Sequence, residues 1–187
     1  MKKIHNVFVT ALIIVLAVCW VSLHPKSQKP AFELYDADLN QGQLIALVVS
    51  KTGYGREVGE AIEHGVKHYL SELLQSPEHE DIGLVVFDDK SDAKVAEEIA
   101  RLIATDSRYL AVIGHTENST TSVAAPIYAS AKIPMLTPAA NSYKITLNNP
   151  WAFSSIMSDK EQGAFIALYV EHVLEGKNVV LAVHESS

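Results

Sequence analysis

The sequence predicts an α/β fold in which a doubly wound parallel sheet carries helices on both faces. Short, continuous apolar runs recur from Leu44 onward, and such runs are typical of parallel strands buried on both faces. Between them lie longer segments whose apolar residues repeat with the period of a helix. Regular alternation of these two patterns indicates strands joined by crossover helices.

Six apolar runs and four helical stripes supply these elements. The predicted strands cover residues 44–49, 82–87, 109–113, 133–136, 151–156 and 178–183. The predicted helical stripes cover residues 58–73, 95–103, 123–128 and 165–173. The fifth strand has the weakest pattern. Ligands of doubly wound sheets bind beyond the carboxyl ends of the strands, so the loops after these strands are where binding residues are expected.

The N-terminus carries a pattern that predicts export. Two lysines precede an apolar run over residues 7–23, as in an export signal, and the run is near the lower length limit for a membrane span. An uncleaved anchor, a lipoprotein signal at Cys19 and a cleaved secretion signal are the alternatives. Each places the rest of the chain at the periplasmic or extracellular face. Residues 1–24 are predicted to be this signal or anchor, and residues 25–43 a linker.

Composition and charge exclude several classes of function. The net charge is −7 and no long run of lysine or arginine occurs, so no nucleic-acid partner is expected. A single cysteine permits neither an internal disulfide nor a cysteine zinc site. His64 and His68 have the spacing of metal ligands on a helix, but a solvated helix face is preferred because no third ligand matches. No metal and no cofactor are expected.

Two strand-end loops contain residue types that also occur in phosphate and metal sites. Loop 50–55 has two glycines but no complete nucleotide-binding pattern, so a turn beside a ligand cleft is preferred to a nucleotide site. Asp88 and Asp89 follow the second strand and, together with Asp92, could bind Mg²⁺. The preferred interpretation is that Ser91 or Asp92 caps the next helix.

The loops after the third and fourth strands are the predicted binding site. Residues 115–121 place small hydroxyl and amide side chains at a helix start, where free N–H groups can hold a carboxylate. Residues 137–142 combine small residues with polar ones, so a ligand can lie against the backbone. Both loops are expected side by side at one edge of the sheet. A catalytic serine–histidine pair is the less favoured alternative, because no Gly-x-Ser-x-Gly sequence occurs here.

One stretch of the sequence resembles a known family. Residues 112–142, VIGHTENSTTSVAAPIYASAKIPMLTPAANS, resemble the first lobe of type I periplasmic binding proteins, particularly those that bind leucine, isoleucine and valine. Residues 85–103, 154–170 and 179–187 are similar to other segments of that lobe. The resemblance implies that residues 44–187 form an N-terminal ligand-binding lobe that is incomplete, with the second lobe absent.

The resemblance also implies a set of ligand-binding residues. Asn118 falls where the family commonly has serine, and Asn141 falls where it commonly has threonine. In that family the two corresponding loops hold the α-carboxylate and α-ammonium of the ligand, so the resemblance implies an amino acid or a similar small acid or amide as the ligand. The residues implied to bind it are Asn118, Ser119, Ala139, Ala140, Asn141 and Ser142.

The implied function is that of a solute-binding component of an ABC-type importer, with a membrane permease as partner. The alternative is the extracellular sensor of a membrane-anchored receptor, which an uncleaved anchor would favour. A hydrolytic enzyme is less favoured, because no set of nucleophile, base and acid follows the strands. Replacing Ala140 with leucine is expected to fill the cleft and abolish binding without unfolding the domain, because the loop is expected at the surface.

Overall fold

The computed structural model describes residues 34–37, 42–73 and 82–180. Within these ranges, no helix has both the length and the apolar character needed to cross a bilayer. The apolar run 7–23 lies outside the described residues, so the predicted signal or anchor stays a prediction.

Strands and helices alternate along the described residues. The strands are β1 (Leu34–Ala37), β2 (Gln43–Val49), β3 (Ile82–Asp88), β4 (Tyr109–Gly114), β5 (Met135–Thr137) and β6 (Ala152–Ser154). The helices are α1 (Arg56–Leu73), α2 (Ala93–Ala104), α3 (Asn118–Ala131), α4 (Tyr143–Thr146) and α5 (Asp159–His172). Strands therefore form where the first five were predicted, and helices form where all four were predicted, although some bounds differ.

The strands form one sheet in the order β1-β3-β2-β4-β5-β6. The five strands β3, β2, β4, β5 and β6, in their order across the sheet, all pair in parallel, which confirms the predicted parallel sheet. β1 is the exception, because it pairs antiparallel to β3 at the edge. It falls inside the predicted linker, residues 25–43. A strand of four residues that includes an aspartate gives no apolar run, so the sequence pattern missed it.

Helices cover both faces of the sheet, as the alternating pattern predicts. Side chains of a strand point alternately to its two faces. Val48 belongs to a buried cluster with Ile99 of α2 and Tyr128 of α3. The next residue, Val49, belongs to a second cluster, against which Ile62 of α1 packs. Each fully buried aliphatic side chain contributes about 1.5–3 kcal/mol, so both faces stabilise the sheet.

The C-terminal part of the described chain differs from the prediction in its packing. α5 forms where the fourth helical stripe predicts it, and Ser158 and Glu161 form a capping box at its start. No residue of α5 is buried, however, and apolar residues such as Phe165 and Leu168 are exposed. Residues 178–180 of the predicted sixth strand are not in a strand. The rest of that predicted strand lies outside the described residues.

Candidate functional site

Parallel strands bring four loops to one edge of the sheet. The carboxyl ends of β2, β3, β4 and β5 are followed by loops 50–55, 89–92, 115–117 and 138–142. Because the sheet order places β3, β2, β4 and β5 side by side, these loops are neighbours although they are far apart in sequence. This edge is where a ligand of an open α/β sheet binds.

The two predicted ligand loops contact each other directly. The Asn118 side-chain amide donates to Asn141 Oδ1 at 2.9 Å, and the backbone N–H of Ser142 donates to Asn118 Oδ1 at 2.9 Å. The second bond fixes the orientation of the Asn118 amide, since an N–H can bond only to the oxygen side. Asn118 is therefore the residue that joins the loop after β4 to the loop after β5.

The start of α3 presents hydrogen-bond donors at this junction. Asn118 and Ser119 are exposed in its first turn, while Ala139 and Asn141 in the facing loop are half-buried. The N-cap residue, Glu117, makes no side-chain bond to the helix backbone. The first-turn N–H groups of a helix have no intrahelical acceptor, so this helix start suits an anion.

Ala140 does not lie where the sequence analysis expects it. Its side chain is 3% exposed and belongs to the core cluster shared with α2 and α3. Its backbone N–H donates to Thr137 Oγ1 at 3.1 Å, and the Thr137 hydroxyl donates to the His115 carbonyl at 3.2 Å. These bonds turn the loop back into the core. The expectation that Ala140 lines the cleft with a surface side chain is therefore wrong.

Leucine at position 140 is accordingly expected to destabilise the fold. Three additional carbons would enter a packed core, at a cost of about 1–3 kcal/mol in the free energy of unfolding. The same substitution at half-buried Ala139 should cost less than about 1 kcal/mol. Urea unfolding of the two variants measures the difference. Equal losses at the two positions would show that Ala140 is not in the core.

A buried polar network that was not predicted from the sequence lies behind the predicted ligand loops. His115, fully buried, has its Nδ1 atom 2.8 Å from Asp89 Oδ2 and its Nε2 atom 3.2 Å from the Tyr128 hydroxyl. Burial raises the pKa of Asp89, but the hydrogen bond and charge of His115, with bonds from Ser50 and Ser91, outweigh it and hold that pKa below its ordinary value. Burial, then the Asp89 charge, raises the pKa of Tyr128.

Ser50, at the end of β2, joins this network to Glu117. Its hydroxyl lies 2.7 Å from Asp89 Oδ1 and 2.9 Å from Glu117 Oε2. Ser50 sits between the two carboxylates because β2 lies between β3 and β4 in the sheet. In the sequence, the only indications of this network were the acidic pair Asp88-Asp89 and His115, each near the end of a predicted strand. Strand order was needed to bring them together.

Acidic residues at the end of β3 and just after it hold loops in place. Asp88 accepts from the backbone N–H of Lys51 at 2.9 Å and from the Thr52 hydroxyl at 2.7 Å, which ties the loop after β2 to β3. Asp92 is the N-cap of α2 and accepts from Lys94 and Val95, which confirms the preferred capping interpretation. No group of three metal-ligating side chains occurs among the described residues.

Two other sequence alternatives can be located in the structure. His64 and His68 are both exposed on α1, the preferred interpretation of that pair. The histidine of the less favoured catalytic pair is His115. It is fully buried and bonds to Asp89 and Tyr128, whereas Ser119 is exposed. The hydrogen-bond partners of the two ring nitrogens of His115 are thus Asp89 and Tyr128 and not Ser119.

The chain matches known proteins over most of its length. Residues 43–187 match the family described as periplasmic binding protein. A Pseudomonas aeruginosa protein named amino acid binding protein is 26% identical over 145 residues, which cover 76% of this chain and 38% of that protein. The family and this relative are binding proteins by name.

Solved structures share the fold. A leucine binding protein from Thermotoga maritima is 26% identical with a TM-score of 0.64, over 71% of this chain and 38% of that one. An ABC transporter substrate-binding protein from Desulfitobacterium hafniense in complex with Leu is 26% identical with a TM-score of 0.57, over 68% of this chain and 38% of that one. The chain thus spans 38% of the length of each of these three proteins.

Proposed function

The chain belongs to the periplasmic binding protein family, and from that premise we propose that it binds a small amino-acid-like solute as part of the substrate-binding component of an ABC-type importer. Membership of this family implies a periplasmic or extracellular location. The apolar run at residues 7–23 is the proposed export signal or anchor, and a membrane permease is the proposed partner.

The contact between the two ligand loops is the observation that carries this proposal. Asn118 bonds to both Asn141 and Ser142, so the start of α3 and the loop after β5 form one continuous surface. Several hydrogen-bond donors lie there. They comprise the first-turn N–H groups of α3, the Ser119 hydroxyl and the Asn141 amide. A donor-rich surface at a helix start favours a carboxylate ligand.

The ligand proposed for this site carries a carboxylate and an ammonium or amide. The carboxylate would accept from Ser119 and Asn141, and the Ala139 carbonyl would accept from the other group. Support comes from a relative named amino acid binding protein and from a neighbour that holds Leu. Ala140 contributes to this surface through the position of its loop, because its side chain is in the core.

A titration of the chain with L-leucine tests the proposal. One lobe leaves the ligand partly in water, so binding is expected in the millimolar range. Backbone amide NMR signals of Ser119, Asn141 and Ser142 should shift with L-leucine or L-isoleucine. Asn118→Ala should weaken this binding by roughly tenfold or more, because it removes two hydrogen bonds of about 0.5–1.5 kcal/mol each that hold the loop of Asn141 against the start of α3.

The matched control is Ser130→Ala, which removes a hydroxyl from the opposite end of α3, where it donates to the Pro126 carbonyl. Its affinity should equal that of the unmodified chain. Shifts confined to another surface, or equal affinity in Asn118→Ala, would place the site elsewhere. No response to amino acids or to simple carboxylates would contradict the proposed function.

A further inference from the structure

We propose that Glu117 is a positioning residue. Its carboxylate holds together the three loops that follow β2, β3 and β4, and thereby fixes the position of the Asn118 side-chain amide. Glu117 falls immediately before α3 and is 8% exposed. Buried carboxylates are rare unless their oxygens are partnered, and a carboxylate at this depth requires a structural reason. The inference stands independently of which ligand binds.

The first observation is the set of groups around the carboxylate. Glu117 Oε2 lies 2.9 Å from the Ser50 hydroxyl, at the end of β2, and Oε1 lies 3.2 Å from the Ser91 hydroxyl, in the loop after β3. The Thr120 hydroxyl, on α3 itself, lies 3.4 Å from Oε2. One carboxylate thus contacts the segments that follow β2, β3 and β4. An ordinary N-cap side chain would instead bond to its own helix backbone.

The second observation is the glycine at position 55, which lies beside the Glu117 carboxylate. Gly55 is buried directly before α1, and its N–H donates to Ser91 Oγ at 3.0 Å. A Cβ atom on Gly55 would collide with the Glu117 carboxylate, and the nearest atom of any other residue would be the Ser50 Cβ at 3.3 Å. The positive end of the α1 dipole also favours a carboxylate here. The absence of a side chain at position 55 therefore makes room for the full length of Glu117.

The third observation connects Glu117 to the two predicted ligand loops. The backbone carbonyl of Glu117 accepts from the hydroxyls of Thr120 at 3.1 Å and Thr121 at 2.6 Å. Glu117 is therefore held at both its backbone and its carboxylate. The next residue is Asn118, whose amide bonds to the loop after β5. Loss of the carboxylate should release the start of α3 and with it the Asn118 contact.

A double-mutant cycle between positions 55 and 117 tests whether the Glu117 carboxylate occupies the space beside Gly55. Gly55→Ala alone should lower the Tm of the chain by roughly 3–10 °C, because the added methyl group displaces the carboxylate. In a Glu117→Ala background the same change should lower Tm by less than about 2 °C, because the colliding group has gone. Should Glu117→Ala fail to fold, the cycle is run with Glu117→Asp, which withdraws the carboxylate by one methylene. Additive losses in Tm would overturn the proposal.

Hydrogen exchange tests the positioning of Asn118 separately from stability. The Ser142 amide, which donates to Asn118 Oδ1, should exchange about tenfold faster in Glu117→Ala. The Met135 amide, bonded to the Trp151 carbonyl at 2.8 Å within the sheet, is the internal control and should change much less. Glu117→Gln keeps the length and one acceptor oxygen, and its NH2 group can donate to the oxygen of a serine hydroxyl, so it should restore slow exchange at Ser142.

The positioning role would be overturned by either of two results. The first is an unchanged exchange rate of the Ser142 amide in Glu117→Ala. The second is an exchange rate of that amide in Glu117→Gln as fast as in Glu117→Ala. Neither experiment contains a ligand. A failed titration with L-leucine would therefore contradict the proposed function without affecting this inference, and additive losses in the cycle would contradict this inference alone.

Discussion

Replacing His115 with alanine is expected to lower the free energy of unfolding by about 3–5 kcal/mol, because it leaves a cavity and takes the hydrogen-bond partner from a buried carboxylate. His115 and Asp89 are both fully buried, and Nδ1 lies 2.8 Å from Oδ2. Alanine would leave the Asp89 carboxylate and the Tyr128 hydroxyl without their histidine partner and would also leave a cavity. Urea unfolding at neutral pH is the measurement.

The pH dependence of this loss follows from the lowered pKa of Asp89. A carboxyl whose folded-state pKa is below its ordinary value of 3.8 stabilises the fold above about pH 4. That contribution is lost as the pH falls through the folded-state pKa. In His115→Ala the main group that lowers this pKa is gone, so the difference from the unmodified chain should be largest at neutral pH. It should shrink below about pH 4.

An exposed ion pair of similar length supplies the control. Arg101 and Glu97 on α2 are 2.6 Å apart, and the Arg101 side chain is 67% exposed. Arg101→Ala should cost only about 0.3–0.5 kcal/mol, because water screens the pair. If His115→Ala costs no more than Arg101→Ala, the prediction is wrong, because the buried pair would then stabilise the fold no more than an exposed one.

Gly114→Ala is expected to lower the free energy of unfolding by a similar amount, about 2–6 kcal/mol. Gly114 ends β4 with a φ of 134°, a region that residues with a side chain rarely adopt. A Cβ there would also overlap the backbone carbonyl of Val48, its partner across the ladder between β2 and β4. The strain and the overlap each cost about 1–3 kcal/mol, and a carbonyl within a sheet cannot rotate away.

Gly65→Ala is the matched control for this substitution. Gly65 is exposed in the interior of α1, and an added Cβ would meet no atom within 4 Å. Alanine should therefore raise the free energy of unfolding by about 0.5–1 kcal/mol, through its higher helix propensity. Urea unfolding of both variants should show changes of opposite sign. A stabilising Gly114→Ala would contradict the strained geometry at the end of β4.

The sequence by itself determined the class of the fold. Continuous apolar runs placed β2, β3 and β4 within one residue at each end, because parallel strands buried on both faces tolerate few polar residues. The cap at Asp92 was also predictable, since a capping side chain bonds to backbone only two or three residues away. The contact between the two predicted ligand loops followed from the rule that parallel strands end at one edge of the sheet.

Tertiary structure alone decided what surrounds those loops. Ser50 meets Asp89 and Glu117 across 39 and 67 residues of sequence, and those contacts exist because β2 lies between β3 and β4. Ala140 is buried because Thr137 turns its loop inward, although its neighbours in sequence are more exposed. Local periodicity reports which face of an element is apolar. It carries no information on strand order, which determines the partners of a buried polar group.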